Sequence, residues 1–161
     1  MSIASVKEQL EKLITLQKSL NKIAEQKTDI IKAGDIDALT AILKDEQKHL
    51  QAAKQLEARL MQVVQNEVTS KDTPVQLSDL IEISQGTEKE IIEDLRGKLV
   101  NELTRLKARN ELNQELLQQS LQFINLNLDL LLPTIDSFNY DRRDQQDEPG
   151  PSNRSIFDTK A

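Results

Sequence analysis

The residues of this chain best suited to chemistry are Glu46 and His49. Their spacing, Glu-x-x-His, is that of carboxylate di-iron bundles, in which two helices each contribute the motif. This sequence contributes it once. His49 is the single histidine and cysteine is absent, so no Cys-His pair can form. A Ser-His-Asp arrangement would have to use a histidine beside Lys48 on what reads as a solvated helix face. The glycines stand apart at 34, 86, 97 and 150 and make no phosphate-cradling loop. The materials of catalysis are missing, so the sequence argues against an enzyme and implies no cofactor and no metal site.

Composition narrows the remaining classes. Of 161 residues, 37% are hydrophobic, 30% charged and only 2% aromatic, the profile of long helices rather than sheets. A net charge of −6 without a clustered excess of Lys and Arg argues against a reader of nucleic-acid backbone. The absence of cysteine is compatible with a reducing cytosol. The N-terminal residues run straight into Lys7, Glu8, Glu11 and Lys12, with no uncharged core of a signal peptide. No apolar run approaches the length of a membrane span. A cytoplasmic protein without membrane insertion is expected.

The elements that must position any binding residue can be read from punctuation and periodicity. Ser5 and Glu8 have the spacing of a capping box, and Val6, Leu10, Leu13, Leu20, Ala24 and Ile31 carry a first helix to Gly34. Gly34 suits the left-handed position after a helix and Asp35 suits an N-cap, so a tight turn and an antiparallel second helix follow. That helix presents Leu39, Leu43, Leu50, Ala53, Leu60 and Val64 on one face, interrupted by Glu46 and Glu57. A loop at Ser70 to Pro74 precedes a short apolar helix, Leu77 to Ser84, and Gln85-Gly86 breaks it. Thr87 and Glu90 form a second candidate capping box and open a long helix expected to end at Pro133. The expected fold is all-α: an antiparallel bundle of three long helices plus one short helix over 1–133, with a flexible C-terminal tail over 134–161.

The long helix is unusual in carrying two apolar stripes. At 100° per residue, Leu99, Leu106, Asn110, Asn113, Leu117, Leu121, Ile124, Leu128 and Leu131 share one face, with the two asparagines as a candidate polar layer that sets helix register. Leu112, Leu116, Gln119, Phe123, Leu126 and Leu130 lie on the opposite face at spacings of four and three. One stripe suffices for docking on the helix's own domain. The second asks for a helix from another molecule, for the first two helices to embrace it from both sides, or for self-association into a homodimer. At about 1.5 Å per residue, the long helix also outruns the first two by about 11 residues unless it kinks at Gly97, leaving 121–132 the least shielded apolar surface. The short third helix is a candidate to cover part of it.

Beyond Pro133 the chain gains prolines and clustered charges, the composition of a tail, interrupted by two apolar islands, Phe138-Asn139-Tyr140 and Ile156-Phe157. The islands are spaced like short docking elements; chance aromatics in an untethered tail are the alternative.

The stretch Ile31-Lys32-Ala33-Gly34-Asp35-Ile36-Asp37-Ala38-Leu39, the long final helix closing on Leu130-Leu131-Leu132-Pro133, then Phe138-Asn139-Tyr140 and a terminal Ser155-Ile156-Phe157-Asp158-Thr159-Lys160-Ala161 together resemble the FlgN family of flagellar export chaperones, in the form found in Bacillus-like bacteria. The resemblance implies a cytoplasmic chaperone of the hook-filament junction proteins FlgK and FlgL. Such a chaperone holds their C-terminal helical segments, prevents premature assembly and delivers them to the type III export gate. It also implies client binding through the C-terminal region, here from about Leu112 onward, and marks Tyr140 as the candidate contact with the gate. The rival from the residues alone is a structural or tethering coiled-coil protein that self-associates through the second stripe.

Overall fold

The computed structural model describes residues 3–68 and 74–143, with side chains as far as Leu131. Every described element is helical: α1 (Ile3–Ala33), α2 (Ile36–Glu67), α3 (Leu77–Ile83) and α4 (Gly86–Arg143). The chain divides into two compact units, Met1–Gln119 and Ser120–Ala161.

The turn between α1 and α2 is built as the sequence requires. Gly34 takes φ 68°, a conformation that costs a residue with a Cβ but not glycine. Its N–H donates to the Ile31 carbonyl at 3.1 Å and that of Asp35 to the Ile30 carbonyl at 3.4 Å, the double bond pattern of a Schellman motif. The Asp35 carboxylate then accepts from the Ala38 N–H at 3.0 Å and caps α2. Asp35→Ala is expected to cost about 1 kcal/mol of stability, measured by denaturant unfolding, while Asp35→Asn retains the cap and most of that stability.

Unit 1 is organised around α1, which is buried over a wider arc than any neighbour. Lys27 on one side of it bonds to Glu46 of α2 at 2.6 Å. On the other side Asn21, Glu25 and Thr28 bond to Glu102, Arg105 and Asn113 of α4 at 2.5–3.1 Å. These partners ascend together along both chains, so α1 and α4 run parallel, with α2 antiparallel to α1. The apolar core lies toward the start of α1. Val6, Leu10, Leu13 and Ile14 pack with Leu60 and Val64 of α2, Leu80 and Ile81 of α3, and Ile92, Leu95 and Leu99 of α4. Val68 and Val75, flanking the segment outside the described residues, complete it.

Several expectations are corrected. Ser5 lies inside the first turns of α1 rather than at its cap, because the helix already includes Ile3. The long helix starts at Gly86, one residue earlier than Thr87. It also runs through Pro133 to Arg143 instead of ending there. A proline inside a helix removes one i→i−4 bond and crowds the preceding turn, at roughly 3 kcal/mol, so Pro133 is tolerated rather than obeyed as a stop. Phe138 and Tyr140 therefore belong to α4 by their backbone. The rest of the expected tail, 144–161, lies outside the described residues. The α3 side chains Leu80 and Ile81 join the core near the start of α1, and the apolar residues of 121–131 are exposed.

Candidate functional site

Glu46 and His49 are both engaged in structure. Glu46 is turned inward to Lys27, while His49 Nδ1 sits 2.8 Å from the Asp45 carbonyl and 3.4 Å from its carboxylate on the same helix. The two members of the Glu-x-x-His motif thus face different partners. A hollow of about 370 Å³ between α1 and α4 brings Lys7, Glu11, Asp94 and Lys98 together. Its charges are satisfied locally, Lys7 by Glu11 at 3.8 Å and Lys98 by Asp94 at 2.8 Å. That Asp94 hydrogen bond and charge hold the Lys98 ammonium above its ordinary pKa, as Lys12 holds the Glu8 carboxyl below its own. Exposed i,i+4 pairs of this kind organise a surface and supply no acid or base to a substrate.

The chemistry of this molecule is in its apolar surface. From Ser120 to Leu131 no residue of α4 is buried. Leu121, Phe123, Ile124, Leu126, Leu128, Leu130 and Leu131 are each 50–76% exposed. Asp129 is the one charged residue among them. Scattered exposed leucines are ordinary, but seven large apolar side chains within eleven consecutive residues, spread over two opposite faces of the helix, make an apolar surface of the sort that marks an interaction site.

The candidate contact residues are distributed along the change from shielded to bare. Leu112 is exposed at 39%, Leu116 is half-buried, and Gln119, Phe123, Leu126 and Leu130 are exposed. The opposite stripe behaves differently from what its periodicity predicts. Leu99 and Asn113 are buried and Leu106 and Leu117 half-buried, but Asn110, Leu121, Ile124, Leu128 and Leu131 are exposed. A shared helical face guarantees that a partner placed there would touch all of these residues; it does not place the partner.

Asn113 is the buried member of the expected polar layer. It is 2% exposed, accepts from Thr28 Oγ1 at 2.5 Å and donates to the Ala24 carbonyl at 2.9 Å. It ties the register of α4 to α1, as a buried asparagine does in a coiled coil. Sequence reasoning missed a second apolar surface. Ile36, Leu43 and Leu50, seven residues apart on α2, are all exposed, although Leu43 and Leu50 were expected to dock. Their heptad spacing was readable; the fact that α1 covers only the C-terminal continuation of that row was not.

Among the described residues no group of three or more His, Asp or Glu is placed to hold a metal ion, and no helix is long and apolar enough to cross a membrane. Comparison with known proteins adds an independent line. Residues 1–148 match the family model described as FlgN protein. The chain is 35% identical over 161 residues to a Bacillus subtilis (strain 168) protein named uncharacterized protein YvyG, with 100% of both chains covered. No solved structure matches.

Proposed function

The chain belongs to the FlgN family, and on that premise we propose that it is a cytoplasmic flagellar export chaperone. It captures the C-terminal helical segments of the hook-filament junction proteins FlgK and FlgL. The observation that carries this reading is the run of exposed apolar side chains from Leu121 to Leu131. An amphipathic client helix laid along Leu112, Leu116, Gln119, Phe123, Leu126 and Leu130 buries apolar area worth roughly 25 cal/mol per Å² on both partners. The same contact hides the client face that would otherwise pair with its assembly partners, so binding and prevention of premature assembly are one event. Release requires only that another surface, at the type III export gate, compete for either member of the pair.

Titration calorimetry with the purified C-terminal segments of FlgK and FlgL tests the reading. Saturable binding by at least one is expected, and the absence of heat and of any shift in a parallel binding assay overturns it. We place the gate contact at Tyr140, so Tyr140→Ala should leave client affinity intact while reducing secretion of the client from cells. An equal loss of both contradicts that division. The same stripe also fits the rival reading of a tethering protein that forms homodimers, and sedimentation of the free chain separates the two. A client-binding monomer supports the chaperone, and a tight dimer indifferent to client supports the tether.

A further inference from the structure

The exposed patch on α4 has a candidate occupant within the same unit. The chain continues past Arg143 for 18 residues, and these contain one apolar pair, Ile156-Phe157, preceded by Arg154. We infer that this C-terminal segment folds back antiparallel along α4 and seats Phe157 on the Phe123-Leu126-Leu130 stripe, with Arg154 on Asp129.

Three observations carry the inference. The first is reach. From Arg143 back to Phe123 is 20 residues of helix, about 30 Å, while the 14 residues from Arg143 to Phe157 span up to about 46–50 Å when extended. The surplus is enough for the reversal at the helix end. Pro149 and Pro151 favour that extended form, since neither can sit in the interior of a regular helix without loss.

The second is register and charge. Three residues separate Arg154 from Phe157, about 9 Å in the polyproline II form, whose threefold repeat returns both side chains to one side; that equals about six residues of helix rise. With Phe157 against Phe123, Arg154 therefore comes level with Asp129. Asp129 is exposed, borders the stripe about 60° around the helix from Leu126, and is the only charge between Ser120 and Leu131. The single anion in the patch thus meets the cation that precedes the apolar pair.

The third is an acceptor at the same place. Pro133 has no N–H, so the Asp129 carbonyl lacks its intrahelical donor while the helix continues past it. An arginine carries five donors in a fixed fork and can serve the Asp129 carboxylate and this carbonyl together. The contact lies in the segment Pro149 to Ala161, beyond the 1–148 match to the family model. It stands apart from the client reading: a client adds only a competitor for the stripe, and failure of either leaves the other standing.

The chain has no cysteine, so Thr159→Cys accepts a single nitroxide label on the otherwise unaltered full-length protein. Methyl resonances of Leu121, Ile124, Leu126, Leu128 and Leu130 are then followed in the free protein. Most of their intensity should be lost when label and isotope are on the same chain. It should be retained when labelled chains are mixed with separately isotope-enriched ones. Phe157→Asp should restore the intensity, Arg154→Glu should restore it in part, and Arg154→Glu with Asp129→Lys should lose it again. Broadening only between chains would give the patch to a second copy and overturn the inference. Absence of broadening, or broadening indifferent to Phe157→Asp, would overturn it as well.

Discussion

Leu126→Asp and Phe123→Ala are expected to leave the unfolding free energy of the free protein nearly unchanged, yet to weaken client binding by about 2 kcal/mol or more, the cost typical of a hot-spot residue. Both side chains are more than 60% exposed, so truncation removes little native packing, and placing a carboxylate at 126 buries no charge until a client arrives. The contrast is with Leu10 and Ile92, which have no exposed surface and sit in the core shared by all four helices. Leu10→Ala or Ile92→Ala should cost roughly 2 to 5 kcal/mol, combining lost transfer energy with the cavity left behind. Denaturant unfolding and client titration on the same four variants separate the classes. If Leu126→Asp destabilises as much as Ile92→Ala, the patch is core and the capture mechanism is wrong.

Ile124 and Leu128 sharpen this test because periodicity and structure disagree about them. Their place on the Leu99-Asn113-Leu117 face predicts bundle core, whereas both are about half exposed, so alanine at either should have a small effect on stability. The disagreement shows what a sequence pattern contains. Periodicity reports that a helix face is apolar. Whether the covering element is internal or comes from outside depends on where neighbouring helices end, and among the described residues Thr28 is the last of α1 shown bonded to α4. The Gly34-Asp35 turn was legible because its chemistry is local: a φ only glycine adopts cheaply, next to a carboxylate that reaches the Ala38 N–H. The helix ends at Ile3, Gly86 and Arg143 were not, since capping pairs and prolines state preferences worth one to a few kcal/mol, roughly, that neighbouring turns can outweigh. The central position of α1 was also hidden. Its buried arc includes Gln17, Asn21, Lys27 and Thr28, polar residues that a hydrophobic pattern assigns to solvent.

Lys27 is the charged case of such a residue, and deletion of its partner should be costly. The side chains of Lys27 and Glu46 are 10% and 20% exposed, and their 2.6 Å contact is made between α1 and α2 in a half of the bundle where Ala24, Ile31 and Ile42 are also buried. Removing one member of a buried pair strands the other charge, typically at about 3 to 5 kcal/mol, whereas replacing both by apolar groups of similar volume is often neutral or better. Glu46→Leu alone should therefore destabilise by about 3 kcal/mol, and Lys27→Met alone by a similar or smaller amount because Glu46 retains more access to water. The double variant Lys27→Met, Glu46→Leu should recover most of that loss, giving a large coupling energy in the cycle. Urea unfolding of the four proteins measures it. Additive losses would mean that the pair is solvated in solution and that each side chain contributes only its own packing. Recovery in the double variant would instead show that the pair is retained for something other than stability, and the alignment of α1 with α2 is what its geometry specifies. With Asn113 fixing α1 against α4 from the other side, two polar contacts a single residue apart, at Lys27 and Thr28, set the register of both helices that flank α1.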